Sequence, residues 1–489
     1  MSRRFRLALA AILLTAAVIR IYRLDHFSFG LDEVMEGFWV RGTWKFFWRA
    51  LRFDAVHPPL DYLVNRFVEA LHPDEWLRRI PAVLWGIGTV WAVAVLAARR
   101  LGELVGLTAA ALLAVAPFHV RYSQEYRPYA IGLFFLCVSM VALDKFLQRP
   151  SWPRLLTLFV LCLATVYSLY LAAVVLGIAA LALLVEDALT ADRERRTAAR
   201  WFLIWSPSFA FALWLAYLPW WPVVLEAARR PAPVPPEPLT IHRAGQVLSF
   251  FAFAPKDGWP FRPGTAMYVT LALVGLILAA RRRGARFLAV WVVAGFAVIE
   301  VLGRLHPHWY GTRRYLPAGL ALSILAALPT AALLQRRVTC VVGAALLAGC
   351  VFFGARGLSV YFREGRADWR TLARFVESQA APSERIFTEN QYAQLCLAYY
   401  LVGPDWLYES MEKTGTPSRD IANLEGEAVR LTWAWKPGQR AWLVLAGEPP
   451  MADLRRRTES LPAFAFPKAE GAVLHRLDPE RREDILTAR

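Results

Sequence analysis

Long apolar runs alternate with short polar segments along most of this chain. The runs lie at 7–24, 80–98, 103–118, 128–147, 155–185, 201–221, 264–280, 287–303, 314–334 and 338–354. Most have the length a helix needs to cross the hydrocarbon core of a bilayer. At about 1.5 Å of rise per residue, the run 155–185 is too long for one simple crossing. It carries a polar-aromatic interruption, Tyr167-Ser168-Leu169-Tyr170, which predicts two short helices meeting there. The pattern therefore predicts a polytopic α-helical membrane protein with about 11 crossings.

Basic residues mark one side of these crossings. Arg3-Arg4, Arg99-Arg100, Lys145 to Arg154, Arg193 to Arg200, Arg281 to Arg286 and Arg336-Arg337 all fall together, and the positive-inside rule makes that side cytoplasmic. A single crossing through 155–185 would send half of the clusters to the opposite side. That opposite side is expected to receive the outer loops 25–79, 119–127, 222–263 and 304–313, and everything after Phe353. The first run is expected to be a permanent span, because no small-residue cleavage site precedes Arg20 and Arg23. The net charge of +17 suggests nucleic acid at first sight, but the cations sit in short clusters between apolar runs, so nucleic-acid binding is set aside. With 57% hydrophobic residues over 489, the chain is too apolar for a soluble protein of its size.

Residues 355–489 differ: hydropathy falls and charge rises. Asp368 to Val376 has a helical period, whereas Arg385 to Thr388, Ala441 to Ala446 and Ala472 to Leu477 read as strands. A small C-terminal α/β domain on the outer, extracytoplasmic face is expected, following a transmembrane domain over 1–354. Four cysteines lie in apolar runs and Cys396 is alone in the C-terminal region, so no disulfide framework or Cys/His zinc spacing is read. No Walker loop or dinucleotide glycine pattern is present.

The polar chemistry gathers in the outer loops. The first carries Asp32-Glu33 and Glu36, and later His57-Pro58-Pro59-Leu60-Asp61-Tyr62. Carboxylates at the end of a membrane helix are costly unless they face water, a partner or a substrate. On a helix Asp32 and Glu33 diverge by about 100°, so one can act while the other binds or orients. Equally, they suit the first turn of an interfacial helix expected over Val34 to Leu51. His57 serves as a metal ligand, a phosphate contact or a plain helix start. The second loop holds Arg121, Glu125, Tyr126 and Arg127; Arg forks match phosphate oxygens, while Arg121 and Glu125 also have the spacing of a helical ion pair. The third holds Arg304, His306, His308, Tyr310, Arg313, Arg314 and Tyr315. Cations on the outer side run against the positive-inside trend, and an anionic lipid headgroup would account for them. Loop 222–263 is Pro-rich around Arg229 to Pro236 and becomes amphipathic from His242 to Phe253, the pattern of a lid or of a passive connector.

Taken in order, these motifs resemble the GT-C superfamily of polyprenyl-phosphate-sugar-dependent glycosyltransferases, near the bacterial protein O-mannosyltransferases and aminoarabinose transferases. The resemblance rests on Asp32-Glu33, His57 to Tyr62, Ser123 to Tyr129, Arg314-Tyr315-Leu316-Pro317 and Asp368-Trp369-Arg370. It implies an inverting transfer, on the outer face of the bacterial inner membrane, from a dolichyl- or undecaprenyl-phosphate-linked sugar. The acceptor is then a protein, a lipid such as lipid A, or a surface glycan of the cell envelope. It also implies Asp32 as the base, with Glu33 beside it, and Arg127, Arg121 and Arg314 on the donor phosphate. His57, Glu125, Tyr126 and Tyr315 are further substrate contacts. Aminoarabinose transferases carry an acidic-basic pair before Pro-Pro where this chain has Val56-His57. A divalent metal would then depend on Glu33, His57 and His306. A transporter or lipid-sugar flippase is the alternative; it would place ionisable groups in mid-span, whereas here they gather at the outer ends.

Overall fold

The computed structural model describes residues 1–71, 74–229, 240–254, 262–305, 311–364, 368–381, 383–408, 421–423, 435–446, 461, 463–466 and 472–481. In chain order the helices are α1 (Arg3–Ile21), α2 (Leu31–Trp39), α3 (Trp44–Asp54), α4 (Leu60–Leu71), α5 (Glu75–Leu101), α6 (Glu103–Ala114) and α7 (Pro117–Ser123). Next come α8 (Tyr129–Gln148), α9 (Trp152–Ser168), α10 (Tyr170–Thr190), α11 (Arg193–Tyr217), α12 (Trp221–Arg229) and α13 (Ile241–Phe251). The series ends with α14 (Pro263–Arg281), α15 (Arg286–Leu305), α16 (Leu316–Leu334), α17 (Cys340–Glu364), α18 (Trp369–Gln379) and α19 (Gln391–Leu401). Contacts divide the chain into two compact units. The first takes Met1–Tyr22, Arg52–Val64 and Arg79–Arg363; the second takes Arg23–Leu51, Asn65–Arg78 and Glu364–Arg489.

The first unit is a bundle around α16, which is buried on every face from Leu316 to Ala331. It packs against α14, α15, α6 and α8. Gly275 permits the close approach of α14: a Cβ there would overlap the backbone carbonyl of Leu325. The expected interruption of 155–185 falls at Leu169, whose extended backbone separates α9 from α10. Beside it, Tyr167 donates to the Ala216 carbonyl at 2.9 Å.

Among the described residues seven helices are long and apolar enough to cross a membrane, or up to nine if each bent pair is one span. The bent pairs are α6 with α7, at 68°, and α11 with α12, at 83°. The 19-residue α1 and 17-residue α9 lie outside that count. The protein is a multi-pass membrane protein by this measure, with eleven crossings remaining an expectation.

At the Arg-rich ends of these helices, two buried carboxylates gather three guanidiniums. Asp144 of α8 accepts from Arg99 Nε at 2.6 Å and Arg195 Nη2 at 2.7 Å. Asp187 of α10 accepts from Arg100 Nη2 at 2.8 Å and Arg195 Nε at 2.5 Å. Neighbouring Glu186 accepts the backbone N–H of Gly284, Arg286 and Phe287, at 2.7, 3.2 and 3.1 Å. It thereby satisfies donors that the start of α15 leaves open.

The second unit holds a five-stranded mixed sheet in the order β2-β1-β3-β5-β4, with β1 (Arg385–Thr388), β2 (Ile421–Asn423), β3 (Ala441–Leu445), β4 (Ala463–Phe466) and β5 (Ala472–Leu477). β1 runs parallel to β2 and β3, and β5 antiparallel to β3 and β4. Phe387, Leu443, Leu445 and Leu477 share a core with Trp435 and Leu461. The three expected strands are present, and β2 and β4 are additional. Asp368 caps α18 by accepting from Thr371 N at 3.2 Å, and Asn390 caps α19 through Ala393 N at 2.9 Å.

Two local expectations are corrected. The helix expected over Val34 to Leu51 is two helices, α2 and α3, because the chain turns at Gly42 with φ +72. A Cβ at Gly42 would also stand 2.5 Å from the Tyr408 ring. The second outer loop, 119–127, is helical as far as Ser123, since α7, which Pro117 starts just before the loop, continues into it. Of the loop 222–263, α12 and α13 are helical, whereas the Pro-rich stretch 230–239 lies outside the described residues.

Candidate active site

Within the second unit, the acidic motif forms the first turn of α2. Glu33 turns back on its own helix start: its Oε2 accepts the Gly30 N–H at 3.4 Å in a capping box, and the side chain is buried. Asp32 is half-buried. Glu36, fully buried, accepts from Asn65 Nδ2 at 2.6 Å. Asn65 was not singled out in the sequence; its signal would have been an amide on the apolar face of α4.

The surroundings of α2 are rigidly tied. Arg66 donates to the Val40 carbonyl at 2.6 Å and to the Gly42 carbonyl at 2.8 Å, closing the end of α2. Glu69 pairs with Arg78 at 2.7 Å and with Arg41. Burial pushes the Glu69 carboxyl above its usual range, with Arg78 and Arg41 pulling it back. The C-terminal helices complete this frame. Ser28 Oγ accepts the Trp369 N–H at 2.9 Å, and the Tyr400 hydroxyl oxygen accepts the Phe29 N–H at 2.6 Å. Arg370 reaches Glu75 at 2.9 Å. The hydrogen bond to Glu75 raises the Arg370 pKa against the lowering effect of burial.

Within the first unit, the basic motif spans α7 and the turn into α8. Arg127 and Tyr126 are buried. Arg121 Nε lies 3.2 Å from Glu125 Oε1, so these two form the helical ion pair that their spacing allowed. His57 is buried edge-on to Tyr129, with ring centroids 5.7 Å apart. Tyr129 also meets Tyr122 at 5.0 Å, and the Arg313 guanidinium lies 5.8 Å from its ring centre. Arg314, which the sequence reading named after Arg127 and Arg121, has its guanidinium bonded to Glu300 at 2.7 Å and to the Tyr315 hydroxyl at 2.7 Å. Tyr315 also donates to Glu300. Thus Arg313, not singled out for the donor phosphate, shares the ring cluster of His57, Tyr122 and Tyr129.

A second set that sequence reasoning passed over holds this loop in place. Arg20 is fully buried. It donates to the carbonyls of Ala16 at 3.0 Å and Ala114 at 3.2 Å, and to Ser123 Oγ at 3.2 Å. Its Nη2 lies 2.7 Å from His119 Nδ1; because guanidinium only donates, this nitrogen accepts. Gln124 then donates to the Arg20 carbonyl at 2.8 Å and accepts from the Tyr361 hydroxyl at 3.0 Å. The available signal was an arginine inside an apolar run, where a charge needs a buried partner set.

His306 lies outside the described residues. Among the described residues no three His, Cys, Asp or Glu side chains are grouped to hold a metal ion. Of the other ligands considered, Glu33 caps α2 and His57 packs on Tyr129.

Comparison with known proteins bears on the whole arrangement. The family model for dolichyl-phosphate-mannose-protein mannosyltransferase matches residues 56–220, about a third of the chain. The structure of ArnT from Cupriavidus metallidurans bound to undecaprenyl phosphate aligns over 97% of this chain and 98% of its own, with TM-score 0.57 and 15% identity. The chain has the GT-C fold. The apo oligosaccharyltransferase of Archaeoglobus fulgidus shares this GT-C fold over 93% of this chain and 70% of its own, with TM-score 0.56 and 11% identity. Archaeal AglB from the same organism, in complex with an inhibitory peptide and a dolichol-phosphate, aligns over 91% and 70% with TM-score 0.52 and 10% identity. No curated protein matches in sequence. The GT-C fold thus runs through both units, while the family model is confined to the segment from Val56 to Trp220.

Proposed function

We propose that this protein is an inverting glycosyltransferase that moves a sugar from a polyprenyl-phosphate donor to an acceptor at the outer face of a bacterial cytoplasmic membrane. The observation that carries this reading is the GT-C fold along 97% of the chain, joined to a mannosyltransferase family match over the segment that contains His57, Arg121 and Arg127. ArnT has been captured with undecaprenyl phosphate, and that lipid is the donor carrier proposed here.

Asp32 is the base. It takes the proton from the acceptor nucleophile as the nucleophile attacks the anomeric carbon, and the bond from that carbon to the phosphate oxygen breaks. One displacement inverts the anomeric centre. Proton transfer of this kind contributes about 10²–10⁴ in rate. Glu33 is occupied in capping α2, so it positions its neighbour. The departing polyprenyl phosphate gains negative charge, and fixed guanidiniums stabilise it. Arg127 is assigned to this together with Arg121 and Arg314, and Arg313 is added because its guanidinium lies against the Tyr129 ring. The Tyr129 ring meets both His57 and the Arg313 guanidinium and supports these phosphate-facing residues. The acceptor is a protein, lipid or glycan nucleophile.

Membranes containing the protein are incubated with radiolabelled undecaprenyl-phosphate sugars and cell-envelope acceptors. Transfer is expected with wild type. Asp32→Asn should lower it at least about 10²-fold while the protein stays folded and inserted. Near-normal transfer by the variant would remove Asp32 from the base role; movement of the intact donor across the membrane without transfer would instead indicate a flippase.

A further inference from the structure

We propose that the Arg-rich ends of α5, α8 and α9 form a binding site for an anionic phospholipid, separate from the sugar-transfer chemistry. A cavity of about 570 Å³ opens where these three helices meet. Its lip is cationic: Arg99 closes α5, Lys145 and Arg149 close α8, and Arg154 begins α9. Its floor is apolar and belongs to the spans, with Val138, Val141, Leu161 and Trp91. Val138 and Lys145 lie seven residues apart on α8, so the floor extends about 10 Å below the cations. A phosphate headgroup with acyl chains has this same division of charge and hydrocarbon.

The cations are arranged rather than scattered. Asp144 fixes Arg99 through Nε at 2.6 Å, and Gln148 takes its Nη2 at 2.7 Å, which holds the guanidinium at the cavity rim. Arg154 folds back onto the Arg149 carbonyl at 2.6 Å, so its charge is anchored at the end of α8. Lys145 and Arg149 are exposed, and among the described residues neither side chain has an ion pair. The carboxylate of Asp144 does not cancel this charge, because Arg195 and Arg100 share it with Arg99. The rim therefore keeps a surplus of positive charge beside hydrocarbon. Basic pockets between membrane helices take up anionic headgroups on these grounds. A free anion would use the rim and leave the apolar floor to water, which is why a lipid is the occupant.

The test uses the purified full-length protein in a neutral detergent. Native mass spectrometry titrates phosphatidylglycerol against phosphatidylcholine of the same chains, and thermal unfolding repeats the series with inorganic phosphate and glycerol phosphate. Wild type should bind phosphatidylglycerol in preference to phosphatidylcholine and be stabilised by it. The variant K145Q/R149Q should lose roughly tenfold to thirtyfold in affinity for phosphatidylglycerol, with phosphatidylcholine binding unchanged. R336Q/R337Q removes the same charge at the exposed turn after α16 and should change binding by less than about twofold. Equal binding of the two lipids by wild type would overturn the proposal. So would equal losses in the two double variants, or equal stabilisation by inorganic phosphate or glycerol phosphate. The wild-type comparison decides the matter even where a variant fails to fold.

Discussion

Two adjacent carboxylates in different surroundings show what one residue step does here. Glu33 bends back to the Gly30 N–H and is buried, whereas Asp32, one position earlier, is half-buried at the start of α2. The sequence showed the pair and their divergence but did not assign the cap, because a capping box depends on where the helix starts. The cations behave similarly. Three arginines, Arg127, Arg121 and Arg314, were legible as phosphate contacts, but their acidic neighbours were legible only in part. Arg121 is held by Glu125 and Arg314 by Glu300, and Glu300 lies within a run that reads as plain membrane helix. Arg127→Gln should raise the apparent KM for the polyprenyl-phosphate donor roughly tenfold to a hundredfold and leave that for the acceptor unchanged. Steady-state kinetics with each substrate varied in turn checks this. A loss on the acceptor side alone would turn Arg127 into an acceptor contact.

At the scale of elements, packing rather than hydropathy sets the close contacts. Gly275 lets α14 lie against the Leu325 backbone, and Gly275→Ala should cost about 1–3 kcal/mol through overpacking. Reversible unfolding in detergent or bicelles measures it; a neutral result would mean that α14 shifts without cost. Hydropathy did reveal the interruption at Leu169, since a polar-aromatic group there divides one long apolar run. It did not reveal the bend between α6 and α7, because both halves are apolar and the Pro117 start falls inside the run. The α2–α3 turn was also missed: the amphipathic period continues on both sides of Gly42, and only its positive φ separates them. Near α2, Glu69 gives a pH signature. Its folded pKa lies above the ordinary glutamate value of 4.5, so the folded state holds its proton longer than the unfolded state. Stability from this group is full below pH 4.5 and declines as pH rises through the folded value. Thermal unfolding across that window should show the decline, and Glu69→Gln should remove it; an unchanged slope in the variant would assign the decline to another carboxyl.

For the whole molecule, the arrangement of basic clusters predicts its orientation. Reporter fusions after Arg200 and Arg337 should read cytoplasmic, and one after Arg366 should read external. A cytoplasmic reading at Arg366 would invert the sidedness and move the proposed transfer to the inner face. The helical bundle and the small α/β domain were legible from periodicity, and the GT-C resemblance from ordered motifs. The second unit was less so. Residues 23–51 and 65–78 belong with the C-terminal sheet region, although more than 280 residues of chain intervene between Arg78 and Glu364. Contacts over such separations, like Ser28 with Trp369, leave no local period to read.

The carboxylate hub at Asp144 also sets a schedule during synthesis. Asp144 leaves the ribosome after Arg99 and Arg100, but Arg195 follows it by 51 residues. At about 5–20 residues per second, the third guanidinium arrives roughly 3–10 s later. During that interval α8 is already made, and its buried acid has an incomplete shell. Arg195 also carries Asp187, so its arrival closes two carboxylates at once and joins α8, α10 and α11. The bundle thus has an earliest moment for assembly, fixed by chain order: these helices cannot settle in their final form until the start of α11 has emerged.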